Sequence, residues 1–343
     1  ASLQVRMQMY ETLVALDESM NIIPAIAESW EYADDTTLVF KIREGVKFHD
    51  GTELKASDVH FSLKRGDEMG YVGNNLKVID FEKSGATGDY EYTMVLKFPF
   101  APVLSALTVG AAGMVSEAYV SAHDLDFLAR NPNGTGPYML KEWFEGDRIE
   151  LVKFNDYWAE TKGVNELVFR FIPEAANRAI EIEVGGVDIA YDMSPNDTLR
   201  LQDNPNVQVA LGDNLSTTYI GFNYTRENLQ DKRVRQAVSW ALDLEPIVDA
   251  VYFGLGHQGR NLIAPAVWGF SENVPQYGYD PEKAKQLLAD AGYADGLTTK
   301  IWTSNNQQRM DIAEIMQNQL GAVGINAEVE VIEWGNFLFA LCS

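Results

Sequence analysis

The period of the apolar residues changes along this chain, and that change limits the available folds more than any total does. Up to about residue 165 the signals are those of short strands and hairpins. Thr37–Arg43 alternates and is rich in β-branched and aromatic residues, which predicts a strand. Gly45 and Asp50-Gly51 punctuate turns around Val46–His49, and strands are expected near 76–83 and 91–98. Tyr138–Phe144 and Arg148–Phe154 flank Glu145-Gly146-Asp147 and predict a hairpin. Two helices interrupt this pattern. Leu3, Met7, Tyr10, Leu13 and Val14 give helical spacing over 3–16, and a second helix is predicted over 56–66. Asp58 in its first turn and Lys64 and Arg65 in its last suit the helix dipole.

Beyond residue 165 strand and helix signals alternate. Strands are predicted at 166–172, 187–191, 206–211 and 217–223, and helices at 174–184 and 231–243. Such alternation points to an α/β sheet. Asp280-Pro281 opens the clearest helix: Asp280 can cap it, Pro281 fits the first helical position and Gly292 can close it. Ala284, Leu287, Leu288 and Ala291 are its expected buried stripe. A helix at 307–323 and a strand at 325–332 follow, and Trp334–Ser343 opens another apolar helix and stops. We expect the natural chain to continue past it, because such a surface needs covering. The 343 residues suggest two or three domains, and 46% apolar residues supply their cores.

Several function classes lose support at this stage. The net charge is −23 and is spread along the chain, which repels nucleic acid and anionic lipid. The lone Cys342 permits no internal disulfide, and the first ten residues lack the order of a signal peptide. The four histidines, His49, His60, His123 and His257, have no metal-binding spacing, so neither a metal site nor a cofactor is expected. His49, beside a turn, reads as a hydrogen-bonding residue. Gly254-Leu-Gly256-His-Gln-Gly259 matches a dinucleotide fingerprint in spacing only: Glu245–Phe253 before it looks helical, and Pro265 follows. The glycines therefore read as a helix end. Carboxylates such as Asp34, Asp35 and Asp188 are abundant, but no pattern marks a catalytic pair, and a hydrolase is the remote alternative.

Three stretches resemble one family. The first runs from Ala27-Glu-Ser-Trp-Glu-Tyr-Ala-Asp-Asp35 through Phe40–Thr52 to Ala56-Ser-Asp-Val-His-Phe-Ser-Leu63. The second is Gly134-Thr-Gly-Pro-Tyr138 with Asn155-Asp-Tyr-Trp158. The third is Phe222-Asn223 with Asp231–Asp243, then Tyr279–Leu288. In this order they resemble the family 5 bacterial solute-binding proteins of dipeptide, oligopeptide and nickel ABC importers. The resemblance implies a periplasmic-binding-protein-like α/β fold of type II with three lobes. A discontinuous lobe I would comprise 1–25 and 138–223, an inserted α+β lobe II 26–137, and lobe III, cut short, 224–343.

The implied function is extracytoplasmic capture of short peptides by hinge closure, without catalysis, and delivery to the importer's permease subunits. The protein would be a periplasmic monomer, or membrane-tethered in a Gram-positive host. Nickel chelate, opine or oligosaccharide are alternative cargoes. By position, the resemblance makes Tyr71 an aromatic pocket residue, and Glu68-Met-Gly-Tyr71-Val-Gly73 reads as a loop. The small-residue run Gly110–Met114, with Ala111, Ala112 and Gly113, would pass the ligand. Tyr191, Met193, Thr217 and Trp268 are further candidates to line the site. Lys55 stands where many relatives carry a helix-capping hydroxyl, a loss of local stability.

Overall fold

The computed structural model describes residues 3–161, 163–213 and 215–337, leaving aside the side chains of 70–72. The chain forms two compact units that divide at Ile172–Pro173. The first unit holds α1 (Leu3–Met9), β1 (Val14–Leu16), β2 (Ile22–Pro24), β3 (Ala27–Asp34), β4 (Thr37–Ile42), α2 (Ala56–Asp67) and a 3-10 turn at Gly70–Leu76. It continues with β5 (Gly85–Gly88), β6 (Glu91–Val95), α3 (Val103–Ala106), a second 3-10 turn at Gly110–Ala112, α4 (Glu117–Ala122) and α5 (Leu125–Arg130). A three-stranded sheet of β7 (Tyr138–Phe144), β8 (Arg148–Lys153) and β9 (Glu166–Arg170) completes it.

The expected alternation at 37–43 does its work in β4. Leu38, Phe40 and Ile42 are fully buried, while Lys41 faces out. Across the antiparallel ladder Leu38 meets Met94 and Phe40 meets Tyr92, so both strands turn the same face inward. The four-stranded sheet, in the order β3-β4-β6-β5, packs that face against Val59 and Leu63 of α2. The hairpin expected at 138–154 is β7–β8, turned by Gly146 at φ +77°. Its Tyr138, Ile149 and Leu151 join Val5 and Met9 of α1 in a smaller, separate core. α1 thus packs on β7 and β8, while Leu13 and Val14 belong to the larger core.

Three expectations fail in this unit. The first helix ends at Met9, because Leu13 and Ala27 form a backbone bond (2.9 Å) that draws the chain into sheet structure. The segment 76–83 is not a strand and contributes one bridge, Ile79 to Leu96. Residues 70–76 are a 3-10 helix and not a loop. Lys55 provides no side-chain cap to α2, but its position is not idle. Its amide donates to Asp58 Oδ2 (2.9 Å), and its ammonium lies over the Tyr90 ring (4.0 Å) and pairs with Glu53 (3.2 Å).

The second unit contains α6 (Ala175–Glu183), α7 (Pro195–Gln202), α8 (Glu227–Gln230), α9 (Lys232–Ala241), α10 (Leu244–Tyr252), α11 (Pro281–Asp290), β10 (Leu297–Ser304), α12 (Gln307–Gly321) and β11 (Ile325–Ile332). β10, α12 and β11 form a parallel strand–helix–strand unit. Val234, Ala237 and Ala241 of α9 pack with Ala284 and Leu288 of α11 and Met316 and Leu320 of α12. The boundary signals hold: Asp280 Oδ1 accepts from the Lys283 amide (2.9 Å), and Gly292 leaves at φ +92°. Phe253 (φ 53°) and Gly254 (φ +81°) end α10, so the glycine-rich match is a helix terminus.

The strands expected at 187–191, 206–211 and 217–223 carry no ladder among the described residues. Alternating apolar residues favour a strand only when a neighbour supplies the hydrogen bonds. Here Ile189 and Tyr219 remain 68% and 67% exposed.

Candidate functional site

The segment Gly110–Met114 is fixed by close backbone packing. A Cβ on Gly66 of α2 would lie 2.2 Å from the Ala111 carbonyl oxygen, and one on Gly73 would lie 2.1 Å from the Gly66 carbonyl oxygen. Only glycine lets α2 and the two 3-10 turns approach this closely. The Met114 amide donates to the Glu11 carbonyl (2.8 Å), which ties the segment to the start of the chain. The structure therefore gathers the turn bearing Tyr71 and the Ala111–Gly113 segment at one end of α2. The Ala111 and Ala112 methyls are buried in the core, so what the segment can offer a solute is its backbone and Gly113. The Tyr71 side chain lies outside the described residues.

Beside this segment is a group the sequence signals did not mark. The Glu11 carboxylate accepts from the Tyr157 hydroxyl (2.7 Å) and from Trp158 Nε1 (3.1 and 3.2 Å to its two oxygens). The Arg43 guanidinium covers the Trp158 ring at 4.2 Å. Burial raises the Glu11 pKa, against the lowering effect of the Tyr157 and Trp158 donors. This carboxylate holds chain segments together. A lone acid in the apolar run Met9–Val14 was the available signal.

His49 behaves as expected. Its Nε2 lies 3.0 Å from the Gly136 carbonyl, its ring meets Phe154 edge-on, and burial lowers its pKa. It borders a groove of about 430 Å3 that also involves Asp50, Tyr119, Arg130, Asn133 and Trp143. The polar groups there satisfy one another: Asn133 pairs with Asp50 (2.9 Å), and Arg130 pairs with Glu145 (2.8 Å) while lying over Trp143 (4.4 Å).

In the second unit the candidates lie on irregular chain. Tyr191 is 57% exposed, and the Arg178 Nε donates to its carbonyl (3.0 Å). Asp192, at φ 55°, then turns the chain to half-buried Met193 ahead of α7. Thr217 is half-buried, its methyl 3.2 Å from where a Gly259 Cβ would lie, which packs the loop after α10 against this segment. Trp268, on that loop, is 80% exposed. Among the described residues no cluster of three or more His, Cys, Asp or Glu side chains could hold a metal ion, and no helix is long and apolar enough to cross a membrane.

The model of the bacterial extracellular solute-binding proteins, family 5 (middle), matches residues 21–339. The chain is 32% identical over 348 residues to the dipeptide-binding protein of Escherichia coli K12, covering 92% of this chain and 64% of that protein. It is 29% identical to heme-binding protein A of Haemophilus influenzae, covering 96% of this chain and 66% of the relative. The chain thus spans about two thirds of the length of these relatives. Among solved structures, the periplasmic binding protein DppA of Helicobacter pylori in complex with the peptide STSA superposes with a TM-score of 0.87 at 28% identity, covering 96% of this chain and 69% of that one.

Proposed function

The chain belongs to the bacterial extracellular solute-binding proteins of family 5, and from that premise we propose that it captures short peptides outside the cytoplasm and delivers them to an ABC importer. The observation that carries this reading is the match of the family model to 21–339, nearly the whole chain. The peptide assignment draws support from the E. coli relative, named for dipeptides, and from the peptide-bound H. pylori structure. The permease subunits of the importer are the proposed partners, and the working form is a monomer in the periplasm or tethered to the outer face of the membrane. No catalytic step is assigned.

The mechanism is hinge closure of the lobes, with 1–25 and 138–223 as lobe I, 26–137 as lobe II and 224–343 as lobe III. Tyr71, the Ala111–Gly113 backbone, Tyr191, Met193, Thr217 and Trp268 are the proposed lining. Tyr191 and Trp268 fit such a role because their rings are exposed and free to cover a solute. The solute must bind the closed form better than the open one, since equal affinity shifts nothing. Calorimetry against di- to pentapeptides should give micromolar or tighter binding, about −8 kcal/mol. No heat from protein shown to be folded would remove the peptide assignment. A non-peptide cargo is the second reading, favoured by the similarity to a heme-binding protein. It predicts a non-peptide compound in the ligand extracted from natively purified protein.

A further inference from the structure

Arg178, half-buried in the middle of α6, directs its guanidinium at three backbone carbonyls. Nη1 donates to the Pro173 carbonyl (2.7 Å) just ahead of the helix, Nε to the Tyr191 carbonyl (3.0 Å) and Nη2 to the Asp192 carbonyl. Nε and Nη2 share one edge of the guanidinium, and their parallel donors suit two adjacent acceptors. In extended chain the carbonyls of consecutive residues point to opposite sides. Both can face one edge here because Asp192 lies in the left-handed region, at φ 55°. That conformation is uncommon for a residue with a side chain and persists where surrounding bonds enforce it. Arg178 supplies such bonds. Just beyond the turn, α7 fixes the chain: Ser194 Oγ accepts from the Asp197 amide (3.0 Å), and the Thr198 hydroxyl donates to the Ser194 carbonyl (2.9 Å). Arg200 of α7 pairs with Glu183 of α6, which joins the two helices that carry these anchors. The segment has no strand ladder among the described residues, so these anchors and not a sheet set the direction of the exposed Tyr191 ring.

We propose that Arg178 is a positioning residue for solute capture: by holding the Tyr191 and Asp192 carbonyls together it locks the turn that presents the Tyr191 ring to the solute. This deepens the capture function and rests on it and on Tyr191 as part of the lining. Lysine keeps the charge but replaces the planar fork by a single ammonium, which cannot reproduce the parallel pair of bonds. Calorimetry with trialanine compares wild type with Arg178→Lys, Tyr191→Ala and the double variant, each shown to be folded by its thermal melt. Asp192→Val releases the same turn from the other side, because a β-branched residue disfavours φ 55°, and at an exposed position it serves, alone and with Tyr191→Ala, if Arg178→Lys does not fold. Each of these single variants should bind trialanine about tenfold more weakly. The double variant should fall within about twofold of Tyr191→Ala, since the placement of the ring no longer matters once the ring is gone. Asp192→Gly, which adopts φ 55° freely, should bind like wild type. Turn variants that bind within about twofold of wild type, a loss that recurs in full in the Tyr191→Ala background, or a Tyr191→Ala variant with wild-type affinity each overturn the proposal and leave peptide capture standing. If wild type binds no trialanine, the solute extracted from natively purified protein becomes the readout. Recovery at least tenfold lower from Arg178→Lys and from Tyr191→Ala, with no further drop in the double variant, supports the positioning role, and equal recovery overturns it. A wild type that yields no solute removes the capture reading and this proposal with it.

Discussion

Replacing Gly66 by alanine places a methyl group where α2 meets the second 3-10 turn. It would lie 2.2 Å from the Ala111 carbonyl oxygen, 2.9 Å from a Leu76 methyl and 3.1 Å from the Ala111 carbonyl carbon. Ordinary contact needs about 3.5 Å, so one backbone must retreat by more than about 1 Å. Overpacking of a core costs about 1–3 kcal/mol, and the upper end applies because the obstacle is a carbonyl rather than a flexible side chain. Alanine recovers up to about 1 kcal/mol through its better helix propensity. The net expectation is a loss of about 2 kcal/mol. With a urea slope of about 2 kcal/mol/M, the midpoint should fall by roughly 1 M without a change in slope. Gly321→Ala is the control: it ends α12 with no atom within 4 Å of its Cβ position, and should gain about 0.5 kcal/mol. Because the Gly110–Met114 segment moves, Gly66→Ala should also weaken solute binding. A Gly66→Ala protein as stable as wild type would refute the claim that this backbone contact sets the segment.

Tyr71→Ala should weaken peptide binding by about tenfold or more while the melting temperature stays, the loss of one aromatic face over a solute being worth about 1–3 kcal/mol; a lowered melting temperature with unchanged affinity would assign Tyr71 to packing. Burial raises the Glu11 pKa, so the stability this group contributes is complete below the ordinary carboxyl pKa and is lost as pH rises through the raised value. Glu11→Gln removes that dependence, and the stability of the variant relative to wild type should therefore rise across this window and then level off. Urea titrations between about pH 4 and pH 8 check it, and a relative stability that falls with pH contradicts the assignment. Asp280→Ala should cost about 1 kcal/mol in urea unfolding through loss of the α11 cap, with Asp280→Asn nearly silent.

The elements legible in the sequence are those whose cause is local. The alternation of Leu38, Phe40 and Ile42, the turn at Gly146, the Asp280-Pro281 start of α11 and the helix end at Gly254 each follow from a few neighbouring residues. Distant partners made the rest illegible. Glu11 acquires its role from Tyr157 and Trp158, 146 and 147 positions away. The segments expected as strands at 187–191, 206–211 and 217–223 carry apolar residues, but ladders depend on neighbours that a local pattern does not name. Around Tyr71, the flanking glycines looked like loop punctuation. Gly73 is instead small because Gly66 passes behind it, a packing demand that produces a 3-10 turn. The candidate lining residues came from the family resemblance by position. The geometry adds the burial of the Ala111 and Ala112 methyls and the exposure of Tyr191 and Trp268.

Binding without conversion is the central claim, and native mass spectrometry of the protein purified without denaturation tests it most directly. A single small solute, a short peptide, should be bound per chain and released on denaturation with its mass unchanged after prolonged incubation with the protein. Conversion of that solute at a rate abolished by substitution of one carboxylate, or no bound or exchangeable solute at all, would contradict it.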